Sequence, residues 1–158
     1  MIPQSNTTYR PNIRTQSDGF SLPELLVVML IIGVLAAIAI PAFLSTTTKA
    51  NDAQAKELVR NAETTAETFA LEHGGSYANL SAKELAAVEP TIVTAAGKGQ
   101  AWLSKATPGT TANEYVLTAT ATDEDEYTIT RAASGTVTRT CHSPKLKTGC
   151  SGAENSTW

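Results

Sequence analysis

The chain has 158 residues, 42 % of them hydrophobic and 17 % charged, and a formal net charge of −3, which leaves room for one modest domain beside any membrane segment. A weakly acidic chain lacks the basic footprint that nucleic-acid binding demands, so composition gives no reason to expect DNA as a partner. There is no Gly-rich phosphate loop and no local Ser-His-Asp pattern, and the two histidines, His73 and His142, are far apart; the sequence offers no catalytic residue, no metal set and no cofactor.

Residues 1–18 are polar, with Pro3 and Pro11, and read as a disordered leader. Gly19-Phe20-Ser21-Leu22-Pro23-Glu24 follows, and then an unbroken apolar run of 20 residues, Leu25–Leu44. As a helix that run would span roughly 30 Å, the thickness of a bilayer's hydrocarbon core. A secretory signal has an apolar core of about 7–15 residues with its small-residue cleavage site behind it. Here the run is longer and the glycine precedes it, so the apolar helix stays on the mature protein. Arg10 and Arg14 lie upstream, and the positive-inside rule leaves the leader in the cytoplasm and the rest of the chain across the membrane. The leader carries +1 in Arg10, Arg14 and Asp18, and its removal leaves −4.

This arrangement resembles the type IV prepilin signature, closely over 19–44 and loosely to about residue 75. The family comprises pilus subunits, the pseudopilins of type II secretion and the minor pilins of DNA-uptake machines. The resemblance implies cleavage by prepilin peptidase between Gly19 and Phe20 and N-methylation of Phe20. Glu24 falls where the family carries its signature glutamate, and Gly33 and Pro41 also match family positions; Pro23 stands where threonine is commoner. Glu24 is the residue most in need of a reason. A carboxylate at a bilayer centre costs about 2.5–3.5 kcal/mol, and less near a helix end. Cleavage would leave the Phe20 amine four residues away, so the pair can meet within one chain or between neighbouring subunits. The intermolecular pair, which would set register in a growing filament, is what the resemblance implies.

One long helix is predicted from Phe20 to about His73. Pro23 lies in its first turn, where a missing amide hydrogen is tolerated, and the helix dipole favours Glu24 there. Pro41 is interior, removes the hydrogen bond to the Ala37 carbonyl and predicts a kink, with Gly33 as a second weak point. The family likeness favours a reading in which 33–41 loses helicity on filament packing. Beyond Ser45, the residues Ala55, Leu58, Val59, Ala62, Ala66, Phe69 and Ala70 make one apolar stripe suited to lying on a sheet, with Lys56, Arg60, Glu63 and Glu67 on the other side and Asp52–Lys56 as an i,i+4 pair. Gly74-Gly75 is the stop.

Ser81-Ala82-Lys83-Glu84 is a capping box that opens a short helix ending by Pro90. Residues 91–98 read as loop. Strands are expected over 100–105, 114–121, 126–131 and 136–140, an antiparallel meander of three or four. Trp102 is expected in the core. Asp123-Glu124-Asp125-Glu126 lacks the spaced ligands and glycine of a calcium loop and reads as a solvated hairpin turn. Cys141 and Cys150 lie on the outer side, where a disulfide is favoured; the loop it closes is worth about 2.5–3 kcal/mol. Lys145 and Lys147, near Arg139 and His142, form a basic patch too small to make DNA a clear ligand.

The expected fold is α+β, a long N-terminal helix packed on a small antiparallel sheet. The expected organisation is a cleaved leader over 1–19, a membrane-spanning and assembly half-helix over 20–44, and an extracytoplasmic globular domain over 45–158 that includes the outer half of the helix. The resemblance implies a type IV pilus subunit: a single-pass plasma membrane protein before assembly, then a surface homopolymer built with prepilin peptidase and the pilus assembly machinery. Adhesion, twitching or DNA uptake would follow from the family alone. The alternative is a pseudopilin of a secretion or DNA-uptake machine, which a calcium-binding loop would support.

Overall fold

The computed structural model describes residues 19–97, 99–144, 150 and 156–158. The polar leader and the basic residues Lys145 and Lys147 lie outside the described residues. The chain divides into two compact units, one ending at Ala39 and the other beginning at Ile40. Helix α1, Leu22–Glu72, supplies the regular structure of the first unit and opens the second.

In the first unit the helix is apolar on every side and its large side chains are exposed, Ile38 by 72 %. A surface helix with a polar outer face would bury one stripe. This one has no polar face, which suits lipid or other apolar helices around it.

In the second unit α1 continues through Pro41 and then through Ser45-Thr46-Thr47-Thr48. Such hydroxyls ordinarily compete with the helix for backbone hydrogen bonds. Here they bond inward: Thr46 Oγ1 donates to the Ala42 carbonyl at 2.9 Å and Thr47 Oγ1 to that of Leu44 at 2.9 Å. From Asp52 on, the predicted stripe is buried, with Leu58 only partly so. The helix ends as glycine allows: Gly74 and Gly75 take φ of 67° and 85°, and the Gly75 amide donates to the Ala70 carbonyl at 2.7 Å. Helix α2, Ala82–Val88, begins at Ser81, whose Oγ accepts from the Glu84 amide at 3.2 Å.

Five strands follow: β1 (Trp102–Pro108), β2 (Tyr115–Thr120), β3 (Glu126–Arg131), β4 (Val137–His142) and β5 (Ser156–Thr157). They form one antiparallel sheet in sequence order. The predicted meander is therefore present with one more strand, β5, and β1 lies later than its predicted span. Alternation puts Leu103, Tyr115, Leu117, Ala119, Tyr127 and Ile129 in the core. Threonines fill the other face, where Thr118 meets Thr128 hydroxyl to hydroxyl at 3.0 Å. The core division is small against large. Ala55, Ala62, Ala66 and Ala70 of α1 share one core with a sheet whose inner face carries tyrosine, leucine and isoleucine, and the larger side chains fill the space between.

The charged residues of α1 are not merely solvated. Arg139 Nη2 donates to both oxygens of Glu63, at 3.3 and 3.0 Å. Glu67 takes three donors: the Tyr77 hydroxyl at 2.6 Å, the Tyr115 hydroxyl at 3.2 Å and Arg131 Nη1 at 3.4 Å. Lys56 stands over the Tyr127 ring, its ammonium 4.9 Å from the centroid, and Arg60 over Trp158 at 5.2 Å. The helix is thus tied along one border of its apolar stripe, where Lys56, Arg60, Glu63 and Glu67 share one line of the helix.

These ties set an alkaline limit. Burial, then the hydrogen bond to Glu67, pushes the Tyr77 phenol from 10.0 to about 12. Burial likewise raises Tyr115, with Glu67 the next cause. A raised folded-state value favours the neutral phenol, so its stabilisation is complete below pH 10.0 and is lost as pH climbs through about 12. The expected result is a melting temperature that declines over that window in detergent. Tyr77→Phe should shrink the decline, and an identical decline in that variant would count against Tyr77 as a cause.

Candidate processing and assembly site

Gly19 and Phe20 precede α1 in exposed chain without regular structure, with Phe20 76 % exposed. A side chain at Gly19 would meet nothing within 4 Å, so no neighbour in this chain requires the glycine. The helix starts at Ser21, whose carbonyl accepts from the Leu25 amide at 3.2 Å. Glu24 turns back on that start: its Oε2 accepts from the Ser21 amide at 3.4 Å and from the Ser21 hydroxyl at 3.3 Å. This is the return bond of a capping box. Ser21 was passed over in the sequence, although Ser21-Leu22-Pro23-Glu24 has the same spacing that located Ser81 and Glu84.

Glu24 is therefore placed one turn inside the helix start, beside the peptide that becomes the new amino terminus if the chain is cut after Gly19. The carboxylate is exposed and stands at the edge of the apolar surface 25–44. Gly33 and Pro41 lie farther along α1. A side chain at Gly33 would also meet nothing within 4 Å. Within this chain no neighbour requires a glycine at either position.

Cys141 and Cys150 form the expected disulfide, with S–S 2.04 Å and Cα–Cα 5.7 Å. The acidic run differs from its solvated reading. The turn is present, with Glu124 at φ 77°, but Asp125 is fully buried and accepts from the Ser143 hydroxyl at 2.7 Å. One oxygen each from Asp52, Asp123 and Asp125 lies within 4.8 Å of the others. Asp52 is buried as well, and all three carboxylates have polar or electrostatic partners. Carboxylate oxygens suit hard cations, although calcium takes about six to eight oxygen ligands. Tyr127 adjoins the group; burial raises its phenol, and Asp52 is the next cause. Trp102 also departs from expectation. It is half-buried and pairs with Thr120 on the threonine face, while its neighbour Leu103 enters the core.

The fold is α+β, and among the described residues one helix, α1, is long and apolar enough to cross a bilayer. Among known families, the prokaryotic N-terminal methylation motif matches the chain over residues 14–40. This is the prepilin-type cleavage and methylation signature, and it supports membership of the type IV pilin and pseudopilin family. No curated protein and no solved structure matches the chain significantly.

Proposed function

We propose that the protein is a structural, non-enzymatic subunit of a type IV pilus, processed from a prepilin and polymerised through its apolar helix. The observation that carries this reading is one helix used in two ways. Residues 22–39 expose apolar side chains on all sides, whereas the stripe from Ala55 to Ala70 is buried on a sheet. Such a helix serves first as a membrane anchor and then, after extraction, as part of a filament core of like helices. Prepilin peptidase would cut between Gly19 and Phe20 and the new amine would be methylated. Glu24 would then meet the Phe20 amine of a neighbouring subunit, and Gly33 and Pro41 would let the helix adapt to its neighbours. The assembly machinery and the plasma membrane are the partners implied, with the cell surface as the final location.

The test is mass spectrometry of sheared surface material and of membranes from the same cells. A peptide beginning at methylated Phe20, abundant in the sheared fraction, is the expected result. The same peptide confined to membranes would favour the pseudopilin branch, and chains keeping residues 1–19 in both fractions would overturn the prepilin reading.

A further inference from the structure

We infer that Trp158 is a latch through which the Cys141–Cys150 disulfide tightens the docking of α1 on the sheet. Strand β5 is only two residues long, pairing Ser156 with Cys141 and Thr157 with Thr140. So short a pairing is marginal by itself. Three further contacts hold it. The Ser156 hydroxyl lies 3.2 Å from the sulfurs of both Cys141 and Cys150. Trp158 Nε1 donates to the Thr140 carbonyl at 2.9 Å. The Trp158 ring stands edge-on to Tyr127, with centroids 5.7 Å apart and planes at 89°.

The outer edge of this arrangement grips the helix. Arg60 lies 5.2 Å from the Trp158 centroid and the Lys56 ammonium 5.9 Å, and Lys56 is 4.9 Å from that of Tyr127. Lys56 and Arg60 are one turn apart on α1. Two aromatic rings carried by β3 and the end of β5 thus face two cations of one helix surface, each contact favourable on its own. The hydrogen-bonded charge pairs lie farther along the helix, at Glu63 and Glu67. At residues 56–60 the latch is what borders the buried stripe.

The disulfide enters through tether length. Ser156 is 15 residues beyond Cys141 but only 6 beyond Cys150. With the bond in place, the shorter tether holds β5 to β4. Effective concentration falls as about the −3/2 power of tether length, so losing the bond should lower the docked-to-undocked ratio of Trp158 about fourfold.

The test is a cycle of full-length variants in detergent, read by amide hydrogen exchange of the α1 peptide around 52–62, with β2 and β3 peptides as reference. Replacing both cysteines by serine should accelerate α1 exchange about fourfold relative to the reference when Trp158 is present. The same replacement in a Trp158→Ala background should add no acceleration. Equal acceleration in both backgrounds would overturn the latch. If the double serine chain does not fold, the disulfide-bonded chain still decides. Trp158→Ala must accelerate α1 exchange more than Trp158→Phe, which loses the hydrogen bond to Thr140 but keeps a ring over the cations; equal behaviour of the two would overturn the inference.

Discussion

Replacing Gly19 with valine is expected to leave residues 1–19 on every copy of the chain and to abolish filaments. The structure makes this substitution a clean probe. A side chain at position 19 meets nothing within 4 Å, and the position precedes α1 in exposed chain. Folding, disulfide formation and membrane insertion therefore have no reason to change. Under the proposed processing, the peptide bond after Gly19 must enter a peptidase site that admits little bulk on its leader side, and valine adds a β-branched side chain there. Intact mass of membrane-extracted protein should show a precursor heavier by the 19-residue leader, with none in the sheared fraction. Normal cleavage of the valine variant would show that the glycine does not determine processing.

What was legible in the sequence was what local spacing encodes. The stripe from Ala55 to Ala70 repeats at helical intervals, and all of its residues but the partly buried Leu58 are buried. Tyr115, Leu117 and Ala119 alternate, and all three are buried. Ser81 and Glu84 gave α2 its start because a capping box is complete within four residues. The misses share a different cause: partners distant in sequence. Glu63 and Glu67 lie at the border of the helical stripe, and only the fold brings Arg139 and Arg131 to them. Asp125 belongs to an acidic run typical of an exposed turn, yet it is buried near Asp52 of α1 and bonded to Ser143. Trp102 was misplaced by one residue of parity. The register passes from Leu103↔Ala119 to Lys105↔Thr118, so a bulge at Ser104 separates the two halves of β1, and alternation alone cannot reveal such an insertion. Strand β5 has no alternation to read, and depends on the disulfide and Trp158.

Glu24→Ala is expected to act with opposite signs on the two stages of the protein's life. Before assembly, removing a carboxylate from the mouth of an apolar helix lowers the cost of insertion. Membrane levels and cleavage after Gly19 should therefore equal or exceed those of the parent. After cleavage, the proposed partner of Glu24 is the Phe20 amine of the next subunit. Taking away one member of a buried ion pair strands the other and costs about 3–5 kcal/mol. At about 1.4 kcal/mol per tenfold, subunit addition weakens by at least about a hundredfold, and sheared filaments should fall accordingly. The capping role seen in the structure needs its own control, because Glu24 also bonds the Ser21 amide and hydroxyl. Ser21→Ala removes the hydroxyl side of that box and leaves the carboxylate, at a cost of about 1 kcal/mol to the helix start. If Glu24 served only as a cap, the two variants would assemble with similar defects. The pairing role instead demands a severe loss for Glu24→Ala and near-normal filaments for Ser21→Ala, and Glu24→Asp, which keeps the charge on a shorter arm, should fall between them. Normal filament numbers in Glu24→Ala would remove the intersubunit pair from the mechanism and leave the apolar surface 25–44 as the sole driver of assembly.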